Sequence, residues 1–242
     1  MLIQAALNGA TSRSAHPAVP LSPAELAAEA QAAQRAGARA FHVHPRDSRG
    51  EETLEPKHVL AAVAAVRGAT GLPVGVTTGI WTVAGDTQLR LALVAGWTGP
   101  DRPDYVSVNM NEPGTGELAD LVTSLGMGIE AGVWSQEDAR LLAASGFKDR
   151  IRWVLMEPVD RVPADAVATA GQTAAELARL GITARQVRHG YDLATWDVLR
   201  ASIADGQDIR VGLEDTTVLP DGSVPAGNGD LVTAAAGLTG ES

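Results

Sequence analysis

No cysteine occurs among the 242 residues, which excludes disulfides, thiolate metal sites and a cysteine nucleophile. Any metal must therefore sit on His, Asp or Glu. No apolar run reaches the roughly 18 residues that a membrane span requires, so no membrane partner is expected. Basic residues are in deficit, with 19 Lys and Arg against 29 Asp and Glu and a net charge of −10. That argues against nucleic acid, whose phosphates need a basic stripe, while leaving room for a small anion held locally. The N-terminal MLIQAALNGATSRSAHP has no basic region ahead of its apolar stretch. It reads as a strand rather than a signal peptide, and the expected location is the cytoplasm. Aromatics are scarce at 4 %.

What is present is 45 % hydrophobic residues, arranged as short apolar runs that alternate with alanine-rich helical stretches. Eight strand–helix pairs can be read. The strands are expected near 2–8, 38–44, 73–78, 104–109, 126–131, 151–156, 184–189 and 208–214. The helices are expected from Ser22-Pro23 to Gly37, then over 55–66, 86–95, 116–125, 135–144, 163–180, 193–204 and 230–237. Ser22 with Pro23 is an N-cap followed by proline at the first helical position, and Gly37 is a C-terminal glycine cap. Regular β/α alternation implies a parallel sheet. Eight units closing on themselves give a single-domain (β/α)₈ TIM barrel over 1–242. A doubly wound open sheet is disfavoured because no G-x-G-x-x-G follows the first strand. The last helix is short and ends in Gly-Glu-Ser, so closure by a minimal helix or with help from a partner subunit is expected.

In such a barrel the site lies at the C-terminal ends of the strands. His42-Val43-His44 ends the second strand, where alternate residues share a face, so both imidazoles point inward and can meet one cation. Imidazole suits zinc, with iron, nickel and manganese as alternatives; the other reading is two polar histidines at the mouth. Glu214 ends the eighth strand, or else caps a helix. Strands two and eight both flank strand one, so their ends lie about 10 Å apart and inward side chains can converge. Two histidines and a carboxylate leave coordination positions open, as catalytic metals require. Arg210, four residues earlier on the same face, is a structural ion pair or a carboxylate binder. Asp215 is a general base or a helix cap. Thr77, Thr78 and Gly79, with Ser107 and Asn109, end strands three and four. They supply hydroxyls, an amide and backbone N–H groups for a carboxylate or oxyanion, or only turn chemistry. Arg46-Asp47 reads as a local ion pair, Glu130 and His189 as polar groups at the mouth, and His16 and His58 as surface residues.

The segments N-G-A at 8–10, H-V-H-P-R-D at 42–47, T-T-G at 77–79, S-V-N at 107–109, R-V-G-L-E-D at 210–215 and Asn228 before Leu231-Val232 together resemble the β-keto acid cleavage enzymes, typified by the 3-keto-5-aminohexanoate cleavage enzyme of lysine fermentation. The resemblance runs through almost the whole chain. It implies a zinc-dependent barrel that condenses a small anionic β-keto acid with acetyl-CoA, giving acetoacetate and a new acyl-CoA. By the same resemblance His42, His44 and Glu214 would ligate zinc and Asp215 would be the base, supported by Arg210. Thr77 and Thr78 would hold the substrate carboxylate, and the chain would form a homo-oligomer, a dimer or tetramer. The pattern departs from the family at Thr11, where an acidic residue is usual, and at Ile80-Trp81, where a second glycine is common. It departs again at Gly132, the usual second glutamate of strand five, and at Thr216, the usual asparagine. The extra C-terminal helical segment of many members is also lacking. The departures leave the ligands and base in place and alter the residues that read the substrate. Two other readings stand beside this one: another metal-dependent keto-acid lyase, hydrolase or isomerase, or a barrel that binds metal or ligand without activity. Retention of both Arg210 and Asp215 favours an enzyme.

Overall fold

The structure is a computed structural model that describes residues 1–240. Glu241 and Ser242, the end of the expected Gly-Glu-Ser tail, lie outside the described residues. Eight parallel strands close into a barrel in chain order, with β1 pairing both β2 and β8. They are β1 Ile3–Ala6, β2 Ala40–Val43, β3 Val74–Val76, β4 Tyr105–Asn109, β5 Gly128–Val133, β6 Ile151–Met156, β7 Gln186–Arg188 and β8 Asp208–Val211. The helices are α1 Pro23–Ala36, α2 Pro56–Thr70, α3 Thr87–Val94, α4 Thr115–Ser124, α5 Gln136–Ala144, α6 Pro163–Arg179, α7 Thr195–Ala204 and α8 Asn228–Leu238. The expected barrel and single domain are thus what the chain forms. No helix among the described residues is long and apolar enough to cross a membrane.

Local chemistry accounts for the boundaries. Ser22 and Glu25 form a reciprocal capping box at the start of α1, and Gly37 ends the helix with a positive φ of 122°. Asp86 caps α3 through two backbone N–H groups. Several strands are shorter than their apolar runs. β8 stops at Val211 because Gly212 passes against the Ala6 backbone, so close that a Cβ there would lie 1.9 Å from the Ala6 carbonyl oxygen. The chain then turns, with the Asp215 and Thr216 N–H groups returning to the Gly212 carbonyl. Glu214 therefore stands in a turn beyond the strand, not on it, and no helix begins there; α8 starts only at Asn228. The helix-cap alternatives for Glu214 and Asp215 are overturned. The eighth helix forms within the chain and packs on α1 and α7.

The core has three parts, the smallest being Ala166, Ala194 and Val198 where α6 meets α7. Most apolar residues lie between barrel and helices. A smaller cluster of Ala40, Tyr105, Trp153, Leu155 and Val187 fills the barrel interior. Gly75 on β3 makes room there, since a Cβ would fall 2.0 Å from the Tyr105 ring. The interior also carries polar groups that bond one another. Gln4 donates to Tyr105 Oη at 2.9 Å and to Glu130 Oε1 at 2.7 Å. Trp153 Nε1 donates to Glu130 Oε1 at 2.5 Å, and Tyr105 donates to the Phe41 carbonyl at 2.6 Å. This hydrogen-bonded floor lies directly beneath the mouth.

Candidate active site

Ala6 on β1 pairs with His42 on β2, and the chain continues straight to His44, so the two imidazoles share a face. Their Nε2 atoms lie 3.2 Å apart. Glu214 closes the group, with Oε1 3.4 Å from His44 Nε2 and Oε2 3.9 Å from His42 Nε2. Gly9 permits this approach: it has φ +52°, and a Cβ on it would meet Glu214 Cγ at 2.2 Å. Two buried asparagines fix the backbone. Asn8 accepts from the His44 N–H at 2.9 Å and donates to the His44 carbonyl at 2.8 Å. Asn228 accepts from the Leu213 N–H at 2.9 Å and donates to the Leu7 carbonyl at 3.0 Å.

Each imidazole has a carboxylate behind it. Glu130 Oε2 lies 3.5 Å from His42 Nδ1, and Glu52 contacts His44 Nδ1. Carboxylates at Nδ1 favour the proton there and leave the Nε2 lone pairs facing Glu214, as in metal-ligating histidines. The three donor atoms lie within 4.8 Å of one another, and Glu214 Oε2 is buried without a hydrogen-bond partner. Burial pushes Glu214 up, but Arg210, His44 and His42 outweigh it and hold its carboxyl well below the usual range. Burial works against a charge on His44 as well, yet Glu214 and Glu52 push it up to about 9. The group is thus built around positive charge. Two imidazoles, one ionised carboxylate and an unsatisfied oxygen fit a divalent cation with open positions.

Beside this group, Arg210 and Asp215 form a buried pair. Arg210 Nη2 donates to Asp215 Oδ1 at 2.8 Å and Nε to the same oxygen at 3.2 Å. The Arg210 Nη2 also bonds Glu214. His189, fully buried, places Nδ1 3.1 Å from Asp215 Oδ1 and Nε2 3.5 Å from Glu157 Oε2. Burial and the Arg210 charge oppose protonation of His189, but Asp215 and Glu157 push it up to about 9. Asp215 is therefore an oriented, water-shielded carboxylate next to the cation group.

A cavity of about 510 Å³ opens above these residues. His42, His44, Arg210, Glu214 and Asp215 line it together with Thr77, Ser107 and Asn109. Thr78 and Gly79 do not line it. The Thr78 hydroxyl donates to the Ser107 carbonyl, and the Gly79 N–H donates to Thr77 Oγ1 at 3.1 Å. Asn109 Nδ2 donates to Glu112 Oε1 at 2.8 Å. Gly132 on β5 is where Asn109 leans in, since a Cβ there would meet Asn109 Oδ1 at 2.4 Å. Two further readings change. Arg46 bonds the Gly9 carbonyl and not Asp47, which pairs with Arg49. His16 is buried, its Nε2 2.9 Å from the Pro225 carbonyl. Glu52 and Glu112, which sequence reasoning missed, contact site residues from loops. For Glu52 the Asp47–Gly50 turn was the signal, because it folds the chain back and bridges Arg46 to Glu52.

A family model described as beta-keto acid cleavage enzyme matches residues 1–151 and 188–242. The chain belongs to that family. Among solved structures, apo ObcA aligns with a TM-score of 0.73 at 19 % identity, covering 90 % of this chain and 61 % of that one. A binary complex of ObcA with oxaloacetate gives 0.69 at 18 %, covering 90 % and 62 %. The 3-dehydroquinate dehydratase of Aquifex aeolicus VF5 gives 0.56 at 12 %, covering 98 % and 97 %. These likenesses are in fold, and the chain spans less than two thirds of the ObcA chain. No curated protein matches the sequence. Segment 152–187, which the family model passes over, holds most of β6, all of α6 and the start of β7.

Proposed function

We propose that this protein is a zinc-dependent β-keto acid cleavage enzyme that exchanges acyl groups between a β-keto acid and acetyl-CoA. In the net reaction the CH₂–COO⁻ unit of the substrate passes to the acetyl group, giving acetoacetate. The substrate's remaining acyl group leaves on CoA. The observation that carries this reading is the shared cavity, in which the His42–His44–Glu214 group stands beside an Arg210-held Asp215. A ternary complex of ObcA, a structural neighbour, contains a C4-CoA adduct and oxalate, which accords with keto-acid and CoA partners here.

His42, His44 and Glu214 would hold the zinc. The ion, when bound, polarises a keto oxygen and so acidifies the neighbouring CH₂. Asp215 would take that proton, freeing the carbon to attack the thioester and expel the CoA thiolate; the thiolate would then add to the original keto carbon, and Asp215 would return the proton to the departing carbon as the old C–C bond breaks. Arg210 holds Asp215 aimed through two donors, and His189 bounds it from the other side. Thr77, Ser107 and Asn109 present hydroxyls and an amide to the substrate carboxylate, with Thr78 and Gly79 shaping the backbone behind them. The fully buried floor of Gln4, Tyr105 and Glu130 keeps water from reaching the site from below.

Metal analysis of the purified protein is expected to find about one zinc per chain, and His44→Ala to remove it. Carbon-labelled acetyl-CoA with a panel of β-keto acids is expected to give labelled acetoacetate. Protein without metal affinity would overturn the ligand assignment, and keto-acid turnover without acetyl-CoA would overturn the acyl exchange.

A further inference from the structure

Aromatics make up only 4 % of the chain, yet Trp81, Trp134 and Tyr191 all line the one cavity. Trp81 is fixed from three sides. It stands in the short turn Ile80–Val83 after β3, its ring stacked beside the His44 imidazole with centroids 6.3 Å apart and planes at 25°. Its indole N–H donates to Glu52 Oε2 at 3.0 Å, which sets the rotation of the ring. The ring also rests on Gly79, where a Cβ would come within 2.1 Å of it. Despite these restraints Trp81 remains 47 % exposed. A large apolar face held rigidly and left open at the mouth of a cavity is costly unless something covers it.

The charges on the wall limit what that can be. Among the described residues, Arg210 is the only lysine or arginine lining the cavity, and its Nε and Nη2 already bond Asp215 and Glu214. The loop after β1 contributes Ala10, Thr11, Ser12 and Ala15, small and uncharged. A second carboxylate on the ligand would be desolvated with no unengaged lysine or arginine among the described lining residues to meet it and four carboxylates around the same cavity. Those carboxylates do not call for a cationic substituent either. Glu214 and Asp215 face Arg210 and the histidines, Glu157 faces His189, and Asp192 stands after β7, across the barrel mouth from Trp81 after β3.

Resting on the reading of this cavity as a β-keto acid site, we propose that Trp81 selects the substrate class. The substrate is a monocarboxylic β-keto acid whose substituent on the keto carbon is uncharged and apolar and packs on the indole face. Dicarboxylic β-keto acids are rejected.

The test uses the metal-loaded full chain and four β-keto acids, three of matched length ending in an alkyl, an ammonium or a carboxylate group and one whose substituent is a methyl. Binding is measured by calorimetry without acetyl-CoA, and turnover with labelled acetyl-CoA. The alkyl acid is expected to bind best. Trp81→Ala is expected to weaken its Kd and KM about tenfold or more, with a much smaller change for the acid whose substituent is a methyl. Trp81→Phe keeps a ring but loses the N–H bond to Glu52, and it is expected to restore most of the loss. Tighter binding of either charged acid would overturn the proposal. So would a Trp81→Ala loss equal for all substituents and not restored by Phe, because that is the signature of support for Glu52 alone. Residue-81-dependent binding of the alkyl acid without acyl exchange would leave the specificity standing and overturn the proposed reaction instead.

Discussion

Two buried asparagines hold the backbone around β8, β1 and β2, whereas an ion pair holds it around β3 and β4. On the first side Asn8 and Asn228 bond main-chain groups on both sides of β1 through neutral amides, and the carboxylate behind Asn228, Glu29 at 2.9 Å, does not line the cavity. On the second, Glu112 accepts from Arg90 Nη1 at 2.5 Å, with the side chains only 8 % and 1 % exposed. It also accepts from the Ile80 N–H at 3.1 Å and from Asn109. Arg90 Nη2 bonds the Pro113 carbonyl. The difference suits what each side must face. Neutral clamps leave the charge around His42, His44, Glu214 and Asp215 to be balanced within the site, where Arg210 already bonds both carboxylates. A sealed ion pair shapes the other wall while keeping its own charge out of the cavity, so Thr77, Ser107 and Asn109 present neutral donors there.

The comparison is broken most severely at the ion pair. Glu112→Ala leaves Arg90 buried and unpaired, which costs about 3–5 kcal/mol. A melting temperature lower by roughly 6–20 °C is expected for a domain of this size. Replacing both partners with apolar residues is expected to recover much of the loss, since neither charge then stays buried alone. If Glu112→Ala melted like the parent, the clamp would carry no weight and the two sides would not differ in kind. A smaller effect sharpens the comparison from the histidine side. Glu52→Gln keeps the size of the side chain but weakens the partner of His44 Nδ1. Zinc affinity is expected to fall about 10–100-fold at nearly unchanged stability, measured by chelator competition. A large drop in melting temperature with unchanged affinity would make Glu52 a structural residue.

His42, His44 and Glu214 were far more legible in the sequence than the loop carboxylates that support the two sides, for a physical reason. His42 and His44 follow from strand alternation, and the adjacency of β2 and β8 to β1 follows from closing eight parallel units. Both rules act locally or through topology. Glu214 was placed correctly in space although its strand ends three residues earlier, because the turn after Gly212 keeps it pointing at Gly9. Glu52 and Glu112 lie in loops, and their partners Trp81, His44, Arg90 and Asn109 are set by tertiary packing that no period encodes. The same is true of Thr78. Its place in T-T-G suggested a ligand-facing hydroxyl, but the β3–β4 contact spends that hydroxyl on the Ser107 carbonyl.

The smallest expected effect concerns the segment that covers the neutral side. Residues 9–22 carry Ala10, Thr11, Ser12 and Ala15 to the cavity, and their far end is anchored at Glu25. The Glu25 carboxylate accepts from the Ser22 N–H at 2.9 Å and the Leu21 N–H at 3.1 Å, and it pairs with Arg13. The Ser22 N–H, followed by Arg13, lowers its pKa from 4.5 to about 2. A depressed carboxyl contributes stability above its unfolded pKa and loses it as pH falls through the folded value. The carboxylate's share is therefore full above about pH 4.5 and fades toward pH 2. Because the side chain is 43 % exposed, solvent screening limits that share to about 1 kcal/mol, the worth of a helix cap. Glu25→Gln is expected to lower the melting temperature by roughly 2–4 °C at pH 7, with the gap to the parent closing as the pH is brought from 4.5 toward 2. Zinc affinity at pH 7 is expected to stay the same, since Asn8 ties the start of this segment to His44 through bonds that do not involve Glu25. A loss of affinity in that variant would show that the anchor at α1 reaches the metal ligands, and that the neutral side is a single cooperative unit rather than two separately held ends.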